Sequence, residues 1–181
     1  MTEKEYERKA VIGREKYNKL LAEFTGRYPR EDILQINHYY DTPDFALYHS
    51  GETLRVRQTG SGLKLQYKHT KTHIDNMRVS DEYSETIGEL PKTLTVRGLK
   101  TLNIGVMATE RRNFDFGDCI VSLDKNYYLG ALDYEIEVKA VKEHDLPDVL
   151  KGFAFAPGSP GKYSRYVQQS LKQESGHEVR K

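Results

Sequence analysis

The first 30 residues change from one periodicity of apolar and polar positions to another. Side chains alternate in character over residues 3–12, and the apolar residues that follow Gly13 are spaced three or four apart, at Tyr17, Leu20, Leu21 and Phe24. Alternation is typical of a β-strand, and the wider spacing is typical of one face of an α-helix. The sequence therefore predicts a strand followed by an amphipathic helix that ends near Gly26.

Strand patterns dominate the rest of the chain. Alternating or β-branched runs predict strands over 33–40, 53–58, 63–69, 77–84, 107–116, 119–125 and 132–141. Residues 59–62, with two glycines, predict a hairpin turn. A short helical turn over 45–48 and helices over 145–150 and 163–171 are also predicted. Residues 71–76 are polar enough to form a mobile loop, and residues 173–181 are expected to be a flexible tail.

One segment, residues 85–104, has no regular period. Pro91 and Gly98 interrupt it, and its leucines suggest short helices, so its structure stays open. The remaining pattern predicts a mainly β (α+β) fold in which hairpins join the strands. A sheet of about eight strands tends to curl or close, because closure removes exposed edges. A chain of 181 residues fits one domain, here 1–172.

Composition excludes several classes of protein. The chain has 28 Lys and Arg against 27 Asp and Glu, a net charge of +1, so a general nucleic-acid or membrane-surface binder is not expected. The single cysteine, Cys119, excludes an internal disulfide framework. There is no secretion signal and no 18-residue apolar run, which predicts a cytoplasmic location without a membrane partner.

Charges are segregated by strand. Four rows of alternate residues each share one face of a strand: Glu5, Glu7 and Lys9; Arg55 and Arg57; Lys64, Gln66 and Lys68 on the adjacent strand; and Asp133, Glu135, Glu137 and Lys139. Each row alone fits the solvated face of an ordinary sheet. Solvated faces usually mix both charge signs with Ser and Thr, however, and here some strands carry only cations and others mainly carboxylates.

The segregation of charges is explained if the sheet closes into a barrel and the charged faces line its interior. Buried charges without partners cost several kcal/mol each, so such an interior must be hydrated or filled by complementary ions. A divalent metal on the carboxylates and a polyphosphate on the cations would satisfy both halves. Oxygen ligands favour Mg²⁺ or Mn²⁺ over zinc. His38 is expected to pack in the core or rim, and no GxxxxGK loop, zinc set or nucleophile elbow occurs in the sequence.

Residues 5–9 resemble the ExExK motif of the CYTH family, the triphosphate tunnel metalloenzymes. The resemblance continues in order through almost the whole chain, at His38-Tyr39-Tyr40-Asp41-Thr42, Leu54-Arg55-Val56-Arg57, Lys68, Arg111, Asp124, Glu135-Ile136-Glu137 and Lys162. ExExK alone is a weak signal, whereas the ordered set is specific. The chain is most similar to the small bacterial single-domain subgroup, whose members are often labelled adenylate cyclases.

The resemblance implies an eight-stranded antiparallel β-barrel that forms an open tunnel, with helices packed outside. It implies phosphate binding by Lys9, Arg55, Arg57, Lys68, Arg111 and Lys162. It implies Mg²⁺ or Mn²⁺ binding by Glu5, Glu7, Asp124, Glu135 and Glu137, with the four glutamates as the catalytic set. Arg111 is preferred to Arg112 on its spacing to Asp124, and Arg165 and Glu82 are weaker members. Gln66-Tyr67 departs from the family, whose members often have a small hydroxyl residue there.

The function implied is metal-dependent hydrolysis of a phosphoanhydride bond in a linear triphosphate. Inorganic tripolyphosphate is the expected small-molecule partner, and thiamine or nucleoside triphosphates are further candidates. Two alternatives stay open: a class IV adenylyl cyclase that makes cyclic AMP from ATP, and a non-catalytic polyphosphate-binding domain. A homodimer is also open, as is the number of metal ions.

Overall fold

The chain is described by a computed structural model over residues 2–74, 77–140, 146–155 and 159–178. Its strands are β1 (Thr2–Ile12), β2 (Arg30–Asp41), β3 (Glu52–Thr59), β4 (Gly62–Ile74), β5 (Met77–Ile87), β6 (Thr93–Val96), β7 (Leu99–Asp115), β8 (Ile120–Tyr128) and β9 (Ala131–Ala140). Its α-helices are α1 (Arg14–Phe24), α2 (Ala46–His49) and α3 (Lys162–Glu178), and a 3₁₀ turn covers Asp148–Leu150. None of the described helices is both long and apolar enough to cross a membrane.

Eight strands close into an antiparallel barrel. Their order is β2-β3-β4-β5-β1-β9-β8-β7, and β7 pairs back to β2 over a long register from Arg30↔Phe114 to Asp41↔Leu102. The short strand β6 adds to the edge of β7. The predicted β-barrel with external helices is therefore confirmed, with one extra strand.

The segment over residues 85–104 forms strands, and the suggested short helices are wrong. β5 continues to Ile87, and β6 pairs with the start of β7 across Arg97 and Gly98. Both turn residues have positive φ, 51° and 79°, as a tight two-residue hairpin requires. Leu94 and Leu99 of this hairpin pack against the outer face of the barrel wall, whereas Leu90 and Leu102 are exposed, so the four leucines do not share one buried face.

Three other boundaries differ from the sequence pattern. β4 continues to Ile74 through part of the predicted loop, and residues 75 and 76 lie outside the described residues. α3 runs to Glu178, past the predicted end at 171 and into the segment predicted as a tail. The predicted helix over 145–150 is a 3₁₀ turn over Asp148–Leu150, with residue 145 outside the described residues, as is residue 141 of the predicted last strand.

Apolar packing lies outside the barrel wall. α1 packs Tyr17, Leu20 and Phe24 onto the outer faces of β8 and β9, where Leu123 and Ile136 are fully buried. A second cluster on the outer side of β2 and β3 lies under α2 and the β6–β7 hairpin. Because strand side chains alternate, this outward apolar face leaves the inward face to polar residues.

α3 covers one end of the barrel. Tyr163, Tyr166 and Val167 pack against Tyr39 and Met107 at this end. The Tyr166 hydroxyl donates to the carbonyl of Ile104 at 3.0 Å, and a Cβ on the neighbouring Gly105 would lie only 1.6 Å from that hydroxyl oxygen. Gly105, at φ 149°, therefore permits the close approach that fixes the start of α3 over the barrel.

Candidate functional site

The barrel encloses a charged cavity of about 490 Å³. Its lining residues include eight lysines and arginines and five glutamates. Such a volume is typical of small-molecule pockets, which are usually mainly apolar. This cavity instead has an excess of cations, which suits an anion with several charges.

The predicted site residues converge on this cavity. Nine of them line it: Glu5, Glu7, Lys9, Arg55, Arg57, Lys68, Arg111, Glu137 and Lys162. Asp124 and Glu135 are almost completely buried immediately behind the lining, in contact with Lys162. All eleven residues are thus brought together, although their roles in binding and catalysis stay predictions.

Glu5 and Glu7 of β1 form one acidic group. Lys68 lies between them, with its Nζ 2.6 Å from Glu5 Oε2 and 3.0 Å from Glu7 Oε2. Lys139 contacts the other oxygen of Glu5, and Lys9 contacts the other oxygen of Glu7. Burial alone would raise the pKa of Glu5, but Lys68 and Lys139 outweigh burial and hold that pKa at about 2. Both carboxylates are therefore ionised at neutral pH.

Asp124, Glu135 and Glu137 form a second acidic cluster. Asp124 lies directly opposite Glu135 in the β8–β9 register, and one carboxylate oxygen from each of the three residues lies within 4.8 Å of the others. Lys162 Nζ lies 2.7 Å from Asp124 Oδ2 and also contacts Glu135. Burial opposes ionisation of Asp124, but the nearby Arg111 and Lys162 hold its pKa well below the usual range.

Arg111 and Arg112 point to opposite sides of β7. Arg111 donates from Nε and Nη2 to the two oxygens of Asp124, at 2.8 and 2.7 Å, and Nη2 also lies 3.2 Å from Glu137. Arg112 donates to the hydroxyl of Tyr17 on α1, outside the barrel. The spacing argument that preferred Arg111 for the tunnel thus agrees with the geometry.

Arg55 and Arg57 differ from Arg111 because their partners are neutral amides. Arg55 Nε donates to Gln66 Oε1 at 2.9 Å, and Arg57 Nε donates to Asn37 Oδ1 at 3.0 Å. Neither guanidinium forms an ion pair with any carboxylate of the described residues. Burial, followed by repulsion from Arg55 and Arg111, lowers the pKa of Arg57. The two cations would therefore be stabilised by an anion in the cavity.

Several charged residues at the site were missed or given no role by the sequence. Arg78 lines the cavity with Nη1 3.7 Å from Glu7, and it shares a face with Glu82 on β5, an alternation that could have identified it. Lys139 belongs to the alternating row on β9 but was assigned no function. Arg165, only a weak candidate, donates to Glu135 at 2.6 Å and to Asp133 at 2.8 Å.

Asp41, quoted in the resemblance without a role, organises the cavity rim. It is fully buried and accepts hydrogen bonds from the backbone N–H groups of Thr42, Leu47 and Tyr48 at 2.7, 2.9 and 3.0 Å. The hydroxyl of Tyr163 on α3 also donates to it. One carboxylate thus ties α2 and α3 to the end of β2, and no spacing rule in the sequence indicates this.

The acidic residues form a donor set that fits a hard divalent cation. Oxygen atoms from three carboxylates converge at the Asp124 cluster, as Mg²⁺ and Mn²⁺ prefer. In the described structure Arg111 and Lys162 occupy these oxygens, so a metal would share them or displace the lysine. The buried cluster could therefore bind a metal, which would compete with Arg111 and Lys162 for the carboxylate oxygens.

Comparisons with known proteins agree with this geometry. A family model described as CYTH domain matches residues 3–161. The Bacillus subtilis (strain 168) protein named "Putative triphosphatase YjbK" is 30% identical over 122 residues, which cover 61% of this chain and 64% of that relative. The match therefore spans slightly less than two thirds of the relative's length.

Two solved structures share the fold of this chain. A Bacillus halodurans protein described as a "putative adenylate cyclase" has a TM-score of 0.68 at 23% identity, over 91% of this chain and 98% of that one. The Hippeastrum protein HpAC1, described as a "putative adenylyl cyclase" with "a dominant triphophatase activity", has a TM-score of 0.71 at 17% identity, over 91% and 95%. At these identities the likeness establishes the fold alone.

Proposed function

The chain belongs to the CYTH family, and from that premise we propose that it is a metal-dependent triphosphatase. The reaction proposed is hydrolysis of a phosphoanhydride bond in a linear triphosphate, with inorganic tripolyphosphate as the expected substrate. The description of the Bacillus subtilis relative as a triphosphatase supports the reaction class. The charge arrangement of the cavity supports the substrate class.

The observation that carries the proposal is the pair of uncompensated arginines. Arg55 and Arg57 lie in the same cavity wall, each with only an amide partner among the described residues. Guanidinium forks match phosphate oxygens in geometry and charge, and such charge-assisted bonds are about twice as strong as neutral ones. A triphosphate along this wall would therefore offset the burial and the repulsion that lower the pKa of Arg57.

Other cations would complete the phosphate contacts. Lys68, between Glu5 and Glu7, and Lys9, beside Glu7, would donate to phosphate oxygens from the β1–β4 side of the cavity. Lys162 would donate from the start of α3. Fixed donors aimed at the transferring phosphoryl group stabilise charge as it develops, which is the main protein contribution to this class of reaction.

The carboxylates would hold the metal. Glu137 is the member of the Asp124 cluster that lines the cavity, and Glu5 and Glu7 of the other acidic group also line it. A divalent cation bound by these oxygens would supply charge neutralisation at the phosphates and orientation of the attacking water. Arg111 would keep Asp124 in place through its two hydrogen bonds.

The direct test is phosphate release by the purified protein. Tripolyphosphate, thiamine triphosphate and ATP are each supplied with Mg²⁺, with Mn²⁺ and with a chelator. We expect phosphate from tripolyphosphate only when a divalent cation is present. Cyclic AMP with pyrophosphate from ATP would identify a cyclase instead. Tight binding without any turnover would identify a binding domain, and both results contradict the proposal.

Matched variants locate the activity in the cavity. We expect Arg55→Ala to lower kcat/KM for tripolyphosphate by about 100-fold, because one preorganised charged donor is lost. Glu137→Gln should lower kcat while a triphosphate still binds. Arg112→Ala changes the same residue type outside the barrel and should stay within about threefold of the wild type. Equal effects of the two arginine variants would exclude this cavity as the active site.

A further inference from the structure

We propose that Gln66 and Asn37 are positioning residues that orient Arg55 and Arg57 through their Nε atoms and leave both guanidinium charges available to the ligand. The proposal rests on the function inferred above, since it takes the ligand to be a triphosphate held by these arginines. Both arginines contact an amide although five glutamates line the same cavity.

Gln66 connects three neighbouring strands. It lies on β4, is only 6% exposed, and stands opposite Arg55 of β3 in the register. Its Oε1 accepts from Arg55 Nε at 2.9 Å, and its Nε2 donates to Glu82 Oε1 of β5 at 2.6 Å. Because one end of the amide accepts and the other donates, its orientation is fixed. Glu82 thus holds Gln66, and Gln66 holds Arg55.

Asn37 does the same for the other arginine. It is fully buried on β2, directly opposite Arg57 in the β2–β3 register. Its Oδ1 accepts from Arg57 Nε at 3.0 Å, whereas its Nδ2 has no hydrogen-bond partner within the described part of the chain. The buried amide donor therefore costs free energy, and the contact with Arg57 is the one that its side chain makes within the described residues.

The chemistry of the guanidinium explains why an amide is suited to this position. A contact at Nε fixes the plane of the group and leaves the two terminal nitrogens for a bidentate contact with phosphate. A carboxylate at the same position would fix the plane equally well, but it would neutralise the charge and compete with the ligand.

Arg111 provides the contrast within the same barrel. Its Nε and one terminal nitrogen are both bound by Asp124, and that terminal nitrogen also contacts Glu137. The charge of Arg111 is therefore neutralised by carboxylates of the protein itself. Of the four arginines that line the cavity, Arg111 thus holds the acidic cluster, Arg78 lies beside Glu7, and Arg55 and Arg57 are oriented but not neutralised.

The test replaces each amide by the carboxylate of nearly the same shape. Gln66→Glu and Asn37→Asp are titrated with inorganic tripolyphosphate by calorimetry in a chelator, so that hydrolysis does not interfere. We expect each variant to bind at least tenfold more weakly than the wild type. Gln66→Met, which loses the hydrogen bonds without adding charge, should lie between Gln66→Glu and the wild type.

A second measurement separates positioning from general damage. With metal present, KM for tripolyphosphate should rise at least tenfold in both carboxylate variants while kcat changes less than threefold, since ground-state binding is what the arginines lose. Gln168→Glu adds a carboxylate at an exposed position of the cavity lining on α3, and not on the strands β2 to β4 that carry the two arginines and their amide partners, so its KM should change less than threefold. Thermal melting identifies a variant that fails to fold. If one carboxylate variant does not fold, the KM and affinity of the variant at the other amide position test the proposal.

The outcomes distinguish this inference from the proposed function. If the wild type binds tripolyphosphate and both carboxylate variants bind it equally well, the positioning role is overturned and the triphosphatase proposal is unaffected. If the wild type binds without hydrolysing and the variants bind weakly, the enzyme proposal fails and the positioning role stands. If the wild type does not bind tripolyphosphate, both are overturned. An equal loss of affinity in Gln168→Glu would also overturn the positioning role.

Discussion

At the scale of single residues, Lys162 keeps the Asp124 cluster stable when no divalent cation is bound. Its ammonium group contacts Asp124 at 2.7 Å and Glu135, and it lies 4.0 Å from Glu137. Three buried carboxylates so close together need a compensating cation. A lysine and a metal ion are two ways to supply it, so each should substitute for the other.

This substitution can be measured with Lys162→Ala. In a chelator we expect the variant to lose about 3 kcal/mol of unfolding free energy, because the buried carboxylates keep Arg111 and Arg165 but lose one of their three cations. Added Mn²⁺ should restore stability and should raise the melting temperature of the variant more than that of the wild type. Lys172→Ala, on the same helix but exposed, is the control. A variant that Mn²⁺ does not stabilise would exclude a metal at the cluster.

The sequence could identify the faces of the site residues but not their partners. Alternation on a strand placed Glu5, Glu7 and Lys9 on one side of β1, and spacing favoured Arg111 over Arg112. Which cation meets which carboxylate depends on the register between strands far apart in sequence, such as Lys68 with Glu5. The role of Asp41 was equally inaccessible, because its donors come from a turn and from a helix more than 100 residues later.

At the scale of elements, the short helix α2 and the long helix α3 depend on one carboxylate. Asp41 accepts hydrogen bonds from two backbone groups of α2, one of its own turn and one tyrosine of α3. Since it is fully buried, water cannot replace these bonds. The rim of the cavity and the position of α3 therefore share a single hydrogen-bonding centre.

Asp41→Asn tests this dependence. The amide NH₂ group can donate but not accept, so at least one buried donor loses its partner, and we expect a loss of about 2 kcal/mol in unfolding free energy. Urea denaturation provides the measurement. Asp44→Asn removes a carboxylate from the exposed part of the same turn and should change stability by less than about 0.5 kcal/mol. Similar losses in the two variants would contradict a special role for Asp41.

The segment over residues 85–104 explains why some elements could not be predicted. Its leucines follow neither the helix nor the strand period clearly, because the hairpin of β6 and β7 covers the barrel as an outer layer and buries only part of each strand. The pairing of β2 with β7, which closes the barrel, could not be predicted from the local pattern either. Residues 33–40 and 107–116 have clear strand patterns, but nothing in the local sequence indicates that they pair.

At the scale of the whole molecule, the buried acidic groups make stability depend on pH. The pKa values of Glu5, Glu7, Asp124 and Glu135 all lie below their usual values, because lysines and arginines outweigh the opposing effect of burial. In acid the unfolded chain binds protons that the folded chain excludes. Stability is therefore complete above the usual carboxylate pKa and is lost as pH falls through the lowered values.

Denaturation of the protein in a chelator across a pH series tests this expectation. We expect an unfolding free energy that is nearly constant from pH 7 to about 5 and falls between about pH 4.5 and 2. The shift of Glu5 from 4.5 to about 2 alone corresponds to roughly 3 kcal/mol. A free energy that does not change over this acidic range would mean that the carboxylates are not held as ion pairs in solution.

The place of β1 between β5 and β9 has a consequence for how the protein is made. The ribosome synthesises β1 first, but its second neighbour emerges only with Ala131–Ala140, so Glu5 and Glu7 stay in water for most of translation. Contacts this distant in sequence form slowly, because the long loop between them must close, at a cost in entropy, before the contacts can stabilise the chain. The two acidic groups can thus meet only after nearly the whole domain has left the exit tunnel, and the nascent chain should acquire its ligand-binding capacity late and in a single step.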